Sequence, residues 1–326
     1  MEVQSHTALA TTLFQMVESG RIPHAMLLHE NDGGGAFPLL LSFLDRLYAR
    51  SPRVEKLIHP DIHFVFPVAG SDKPVSDQFL QPWRTLLLEN PYFFENELYA
   101  AIGIEGKQSS ISVHEARLLL EKLSLSAVEG GYRTVVMYLP EKMNLQAGNT
   151  LLKMVEEPPE KTLFLLVTHS PEKVLVTIAS RCLFLRVPPL TREEDRRVHP
   201  AAQEGLSGYT DLFADLMDAL LRKDLLAALE TGEALSALES REKQKAFCRH
   251  ASTLVRDVFL VQQGLASLQD LSEEERPVVE GWAAKVRKTF PRQAASALDR
   301  AVMLLERNVS QKILFTDLVN RLYMNV

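Results

Sequence analysis

Residues 134–168 read TVVMYLPEKMNLQAGNTLLKMVEEPPEKTLFLLVT. Two apolar runs, Thr134–Leu139 and Thr162–Thr168, flank a segment from about Asn144 to Glu156 with apolar side chains at helical spacing. Pro158 follows and ends that helix, because proline disfavours the helical conformation of the residue before it. Near-continuous apolar runs between helices are typical of a parallel sheet covered on both faces. This stretch therefore predicts a strand–helix–strand unit of an α/β fold.

The same alternation continues on both sides of this unit. Further strands are predicted at Ala25–His29, Ile62–Phe66 and Leu183–Val187. Ser112 and Glu115 have the spacing of a capping box, in which the serine caps the helix start and the glutamate three residues later reaches back to the serine. The first half of the chain is therefore predicted to be one parallel sheet with crossover helices.

The second half has a different pattern, in which one helical segment follows another. These helices are predicted at Tyr209–Arg222, Leu225–Leu238, Glu242–Gln263, Pro277–Phe290, Gln293–Asn308 and Ser310–Tyr323. No strand pattern interrupts this half. We therefore predict an α/β domain at residues 1–187, a linker at 188–208 and an all-α domain at 209–326.

Length and composition agree with a soluble protein of more than one domain. The chain has 326 residues, 46% of them hydrophobic and 24% charged, and a net charge of −6, which argues against a strongly basic protein that coats nucleic acid. It has no apolar run near the ~20 residues of a membrane span and no signal-peptide pattern at its start. Cys182 and Cys248 are too few for a disulfide framework or a zinc site. We expect a reduced, cytoplasmic location.

A glycine loop follows the first strand. Gly33, Gly34 and Gly35 lie between that strand and a helical stretch, which is the setting of a phosphate-binding P-loop. Such a loop needs a lysine for the β- and γ-phosphates and a serine or threonine for magnesium. Phe37 and Pro38 stand there instead, and proline also lacks a backbone N–H. The loop is therefore predicted to be a turn without nucleotide.

The end of the third strand lacks a second part of the same site. A P-loop ATPase carries acidic residues there for magnesium and for the attacking water. This chain has Leu139 and Pro140, and Glu141 is the only acidic residue. Two separate parts of one catalytic site are thus missing together, which predicts the fold of an ATPase without its activity.

Three motifs resemble the bacterial clamp-loader AAA+ subunits of DNA polymerase III. Residues 149–159, NTLLKMVEEPP, are similar to their N-x-L-L-K-x-x-E-E-P-P signature, and residues 165–171, LLVTHSP, are similar to the end of their sensor-1 strand, which places Thr168 at the sensor position. Ser180, Arg181 and Cys182 match their Ser-Arg-Cys motif. The resemblance implies an AAA+ domain, a lid and a helical collar through which the subunits form a ring. Because family members have a three-helix lid, either residues 188–208 are a shortened lid or the predicted start of the collar at 209 is placed too early.

The resemblance also implies functional residues and partners. Arg181 is expected to act as an arginine finger in the ATP site of a neighbouring motor subunit, with Ser180 in a supporting role. Lys153 is a candidate for facing DNA in the central chamber. The implied partners are the motor (tau/gamma) and delta subunits and, through the complex, the sliding clamp and primed DNA, within the polymerase III holoenzyme. No membrane contact is implied.

Several alternatives stay open from the sequence. The chain could be a true ATPase subunit that binds nucleotide through a variant loop, or an AAA+-like adaptor for another partner. Family members commonly carry a four-cysteine zinc module before a His-Pro-Asp sequence, but Tyr48–Ile58 contains no cysteine. We therefore expect neither ATP nor zinc as a cofactor, and no metal site at His59 and His63.

Overall fold

The chain consists of two compact units, one ending at Thr191 and the other beginning at Arg192. The computed structural model describes residues 4–70, 73–265, 268, 269, 271, 275–305, 307 and 309–326, with no side chains described at 201–207 and 242. The first unit contains a sheet and helices, and the described part of the second unit is helical.

The sheet of the first unit has five parallel strands in the order β2-β3-β4-β1-β5. The strands are β1 (Ala25–His29), β2 (Ile62–Val65), β3 (Arg133–Tyr138), β4 (Thr162–Thr168) and β5 (Leu183–Arg186). Every predicted strand is present, and no bound differs by more than one residue. β3 ends before Leu139 because that residue has a positive φ of 56°, which takes the chain out of the extended conformation.

Helices cover both faces of this sheet. They are α1 (Thr7–Glu18), α2 (Ala36–Leu47), α3 (Pro52–Glu55), α4 (Leu80–Glu89), α5 (Glu95–Ala101), α6 (Val113–Ser124), α7 (Leu145–Glu156) and α8 (Val176–Ala179). Met26 and Leu28 of β1 belong to one core with α1, α2, α4 and α5. Ala25 and Leu27 belong to the other core, with α6 and α7. Alternate residues of a strand thus face opposite layers, and the predicted α/β fold is confirmed.

The predicted capping box at the start of α6 is only half present. Ser112 Oγ accepts the backbone N–H of Glu115 at 3.3 Å, as expected. The Glu115 carboxylate, however, accepts the backbone N–H of Ser76 at 2.6 Å. Glu115 and Ser76 are both buried, and a buried N–H needs an acceptor. The reciprocal bond predicted from the sequence is therefore wrong, because a distant segment takes the carboxylate.

The second unit contains seven helices in its described residues. They are α9 (Arg192–Val198), α10 (Pro200–Leu221), α11 (Leu225–Ser236), α12 (Arg241–Gln262), α13 (Glu275–Lys285), α14 (Phe290–Leu305) and α15 (Gln311–Asn325). The helices from α10 through α15 share one apolar core. The predicted helices are thus present, although Asn308, the expected end of one of them, lies outside the described residues. None of the described helices is both long and apolar enough to cross a membrane.

The predicted domain boundaries differ from the structure. The α/β unit extends to Thr191 rather than to residue 187. The predicted start of the all-α domain at residue 209 falls inside α10, which begins at Pro200. Proline is favourable in the first turn of a helix, so Pro200 starts α10 instead of preceding it. That residues 188–208 form a shortened lid stays a prediction.

Candidate functional site

The glycine loop between β1 and α2 is buried by other side chains of the chain. Gly33, Gly34 and Gly35 are all buried, and Gly35 has a φ of 88°. A Cβ atom on Gly35 would lie 2.6 Å from the ring of Tyr92 and 2.8 Å from the ring of His6. Only glycine fits this position, both for its backbone conformation and because the two rings pack directly on the loop.

A carboxylate of the chain caps the helix that follows this loop. Glu30 comes directly after β1, is 4% exposed, and accepts the backbone N–H of Ala36 through Oε2 at 2.7 Å. Ala36 is the first residue of α2. The start of a helix attracts anions through its free N–H groups and its dipole, and P-loop proteins hold phosphate there. In this chain an internal carboxylate takes that N–H.

Phe37 belongs to an aromatic cluster in the core. Its side chain is 3% exposed, and the ring centroids of Trp83, Phe93 and Tyr138 each lie 5.3 Å from its own. Distances of this size are typical of favourable aromatic pairs. Phe37, one of the two residues that stand in place of the lysine and the serine or threonine of a P-loop, therefore packs into the core.

His169 lies among three carboxylates close to the loop. It comes directly after β4, and its Nε2 is 3.8 Å from Glu30 Oε1 and 3.8 Å from Asp32 Oδ1, while its Nδ1 is 3.7 Å from Glu95 Oε2. Asp32 Oδ1 also accepts the backbone N–H of Glu95 at 2.8 Å. The hydroxyl of Tyr138 is 3.3 Å from His169 Nε2.

These contacts change the protonation of the cluster. Burial opposes the charging of His169, but the ion pairs with Glu30 and Glu95 outweigh it and raise its pKa to about 10. Burial likewise disfavours the charged form of Glu95, but contacts with His169, Lys142 and Tyr99 lower its pKa to about 2. Lys142 Nζ lies 2.8 Å from Glu95 Oε1. At neutral pH the cluster therefore contains a charged Glu95 carboxylate held by a cationic histidine and a lysine, whereas burial raises the pKa of Asp32.

Glu141 and Thr168, both singled out in the sequence, contact each other. Thr168 Oγ1 donates to Glu141 Oε2 at 2.8 Å, and the backbone N–H of His169 donates to Glu141 Oε1 at 2.9 Å. Thr168 is the last residue of β4 and is fully buried. The carboxylate of Glu141 is thus used to close the turn that follows the neighbouring strand.

The pKa of His169 makes the stability of the chain depend on pH. Because this pKa rises from 6.5 to about 10 on folding, the stabilisation is complete below pH 6.5 and is lost as the pH rises through about 10. We expect the free energy of unfolding of the wild-type chain to decrease over this pH range. The free energy of unfolding of His169→Gln should decrease less steeply over the same range. Urea denaturation at several pH values measures both slopes.

The control for this prediction is His24→Gln, because His24 is exposed. It should keep the pH slope of the wild-type chain. Equal slopes for His169→Gln and the wild type would mean that His169 does not titrate as its ion pairs require.

Arg181 lies at the surface after α8. Its Nη1 donates to the carbonyl oxygen of Thr177 at 2.8 Å and to Ser180 Oγ at 3.2 Å. Its Nη2 forms an ion pair with Glu156, the last residue of α7, and the side chain of Arg181 is 37% exposed. Lys153 is exposed on the same helix, α7. Arg181 and Ser180 are therefore in contact with each other. Neither residue belongs to the group of contacts described around His169.

Of the two histidines considered as metal ligands, His59 makes polar contacts within the chain. His59 Nε2 lies 3.0 Å from Glu129 Oε2, and its Nδ1 accepts the backbone N–H of Asp61 at 3.2 Å. Both ring nitrogens of His59 are therefore engaged within the chain, while His63 lies in β2. Across the described ranges, no group of three or more His, Cys, Asp or Glu side chains is arranged to hold a metal ion.

Sequence reasoning missed the cluster around His169. A signal for part of it is present, because Glu30 follows β1, His169 follows β4, and His29 pairs with Thr168 in the sheet. Residues that follow neighbouring parallel strands meet at one edge of a sheet. Glu95 has no such signal, because α5 brings it in from outside the sheet.

A parallel five-stranded sheet with a glycine loop after β1 places the first unit in the class of P-loop-type α/β domains, here of the AAA+ kind, and the loop is closed by the chain's own side chains. Residues 5–191, more than half of the chain, match the family described as "DNA polymerase III, delta subunit". The chain belongs to this family.

Individual relatives agree with this assignment. The chain is 33% identical to the DNA polymerase III subunit delta' of Yersinia pestis over 51% of this chain and 42% of that protein. It is 27% identical to the delta' subunit of Bacillus subtilis over 66% of this chain and 59% of that protein. The tau subunit of Escherichia coli is 35% identical over 27% of this chain and 14% of that protein. The matches thus span less than two thirds of each relative. The sequence predicts a delta-prime subunit, and these relatives confirm that recognition.

Proposed function

We propose that this chain is a non-catalytic subunit of the clamp-loader complex. It completes the ring with the motor (tau/gamma) and delta subunits and presents Arg181 to the ATP site of a neighbouring motor subunit. The complex then uses the ATP of its motor subunits to place the sliding clamp on primed DNA. The match to the family and to delta-prime relatives supports this proposal.

The observation that carries the non-catalytic part is the bond from Ala36 N–H to Glu30. A phosphate at this helix start would have to displace a buried carboxylate, and would meet Asp32 and Glu95 close by. The charged carboxylate of Glu95 opposes an anionic nucleotide, and the cations of this cluster, His169 and Lys142, already pair with its carboxylates. Phe37 supplies no cation, since it is an apolar side chain in the core.

We expect the purified chain to bind no ATP at millimolar concentration, with or without magnesium. Isothermal titration calorimetry tests this prediction, and a motor subunit measured in the same buffer is the positive control. Saturable, magnesium-dependent binding would contradict the proposal and favour an ATP-binding motor subunit with a variant P-loop.

We extend the proposal to zinc and infer that the chain carries none, since Tyr48–Ile58 lacks the four cysteines of the family's zinc module.

Arg181 suits the role in trans for two reasons. Its side chain is partly exposed near β5, an outer strand of the sheet, so a second subunit can reach it. Its guanidinium is charged at any physiological pH and can bind phosphate oxygens in a bidentate manner. Ser180 supports it through the 3.2 Å contact from Nη1 to Oγ.

A further inference from the structure

A carboxylate from another helix holds the side chain of Arg181. Glu156 at the end of α7 pairs with Nη2, while Thr177 and Ser180 accept hydrogen bonds from Nη1. The side chains of Glu156 and Arg181 are 36% and 37% exposed. An unattached arginine at a surface samples many rotamers, so contacts from two separate segments restrict this one.

These contacts leave two N–H donors of the guanidinium unused, and one of them is Nε–H. Arginine has five N–H donors in a fixed planar arrangement. The contacts of Arg181 with the described residues use Nη1 and Nη2, and its Nε makes none of them. Within the described part of the chain the Nε–H has no acceptor, so it is available to an oxygen from outside the chain, which would lie beside Nη2 as well.

We propose that Glu156 is a positioning residue for Arg181. It holds the guanidinium with Nε–H available to a phosphate oxygen of a nucleotide bound by the neighbouring subunit. Glu156 does not itself touch that nucleotide. This inference rests on the proposed function, because it requires Arg181 to act in trans. Since the side chain is ordered in advance, it loses less conformational freedom when it meets the phosphate.

The test compares Glu156→Gln with the matched control Glu157→Gln in the reconstituted complex. Glutamine keeps the size of the side chain but removes the charge that pairs with Arg181. Glu157 is the next residue, is exposed, and has no ion pair with the described residues. The measured quantity is the DNA-stimulated ATP turnover of the adjacent motor subunit, with the other motor subunits inactivated. We expect Glu156→Gln to lower it about 2- to 12-fold, the effect of ordering one long side chain, and Glu157→Gln to leave it unchanged.

A double variant separates positioning from general damage. If Glu156 acts only through Arg181, adding Glu156→Gln to Arg181→Ala lowers turnover no further than Arg181→Ala alone. Additive losses, equal losses for the two glutamate variants, or wild-type or higher turnover for Glu156→Gln would overturn the positioning role. Wild-type turnover for Arg181→Ala would instead refute the finger in trans, so the two failures can be told apart.

Discussion

Replacing Arg181 by alanine is expected to reduce ATP turnover at the neighbouring motor site by about 10³- to 10⁵-fold, the range for removing an arginine finger. The physical reason is the loss of the charge that stabilises the phosphoryl oxygens in the transition state. The measurement uses the reconstituted complex with clamp and primed DNA, and only the motor subunit beside this chain active. With all motor subunits active, the fall in total ATPase activity should be far smaller. Clamp loading should fall strongly if every motor site must hydrolyse ATP.

The variant itself should remain folded and assembled. Arg181 is partly exposed and its ion pair with Glu156 lies at the surface, where such pairs contribute about 0–1 kcal/mol to stability. Arg181→Lys should restore turnover only in part, because lysine keeps the charge but loses the planar fork. Arg186→Ala is the matched control, since Arg186 is an exposed arginine of β5. Normal assembly with wild-type clamp loading by Arg181→Ala would show that Arg181 has no part in the reaction.

Replacing Phe37 by lysine, which introduces a cation close to the glycine loop, is expected to destabilise the chain without creating nucleotide binding. Removing a buried phenylalanine costs about 3–5 kcal/mol, and an unpaired amine among Trp83, Phe93 and Tyr138 adds a desolvation penalty. A domain of this size has about 5–15 kcal/mol of stability in total. We expect the free energy of unfolding to fall by at least about 3 kcal/mol in urea denaturation, and calorimetry to detect no ATP binding.

Two other variants keep this prediction testable. Phe37→Ala removes the same ring without adding a charge, so it measures the packing loss even if the lysine variant does not fold. Phe184→Ala is the matched control, because Phe184 is 51% exposed. Its free energy of unfolding should fall much less than that of Phe37→Ala. ATP binding by Phe37→Lys at wild-type stability would mean that the loop is a nucleotide site lacking only a cation.

Most of the sheet could be predicted from the sequence because its strands are buried on both faces. Leu163–Val167 is an unbroken apolar run, and all of it is buried in β4. The prediction failed where distant segments decide a contact. The Glu115 carboxylate accepts an N–H from Ser76, which is 39 residues away. Local spacing suggested a partner within the same helix, and no local pattern points to Ser76.

At the candidate site, the sequence alone revealed only which groups of a P-loop are missing. Phe37 and Pro38 stand visibly where lysine and serine or threonine are needed. The groups that close the loop could not be found in this way, because Glu30, Glu95 and His169 come from separate segments that only the folded chain brings together. The pair between Arg181 and Glu156 was missed for the same reason. It joins two motifs of the sequence through the end of a helix.

The bond from Ala36 to Glu30 has a consequence for how the first unit responds to its surroundings. A carboxylate that belongs to the chain is present at the helix start at a fixed effective concentration, however much ATP or ADP surrounds it. It cannot be hydrolysed, and it cannot leave the loop by diffusion. In the function proposed above, the first unit therefore behaves, at this loop, like a protein that carries a permanent, non-exchangeable ligand.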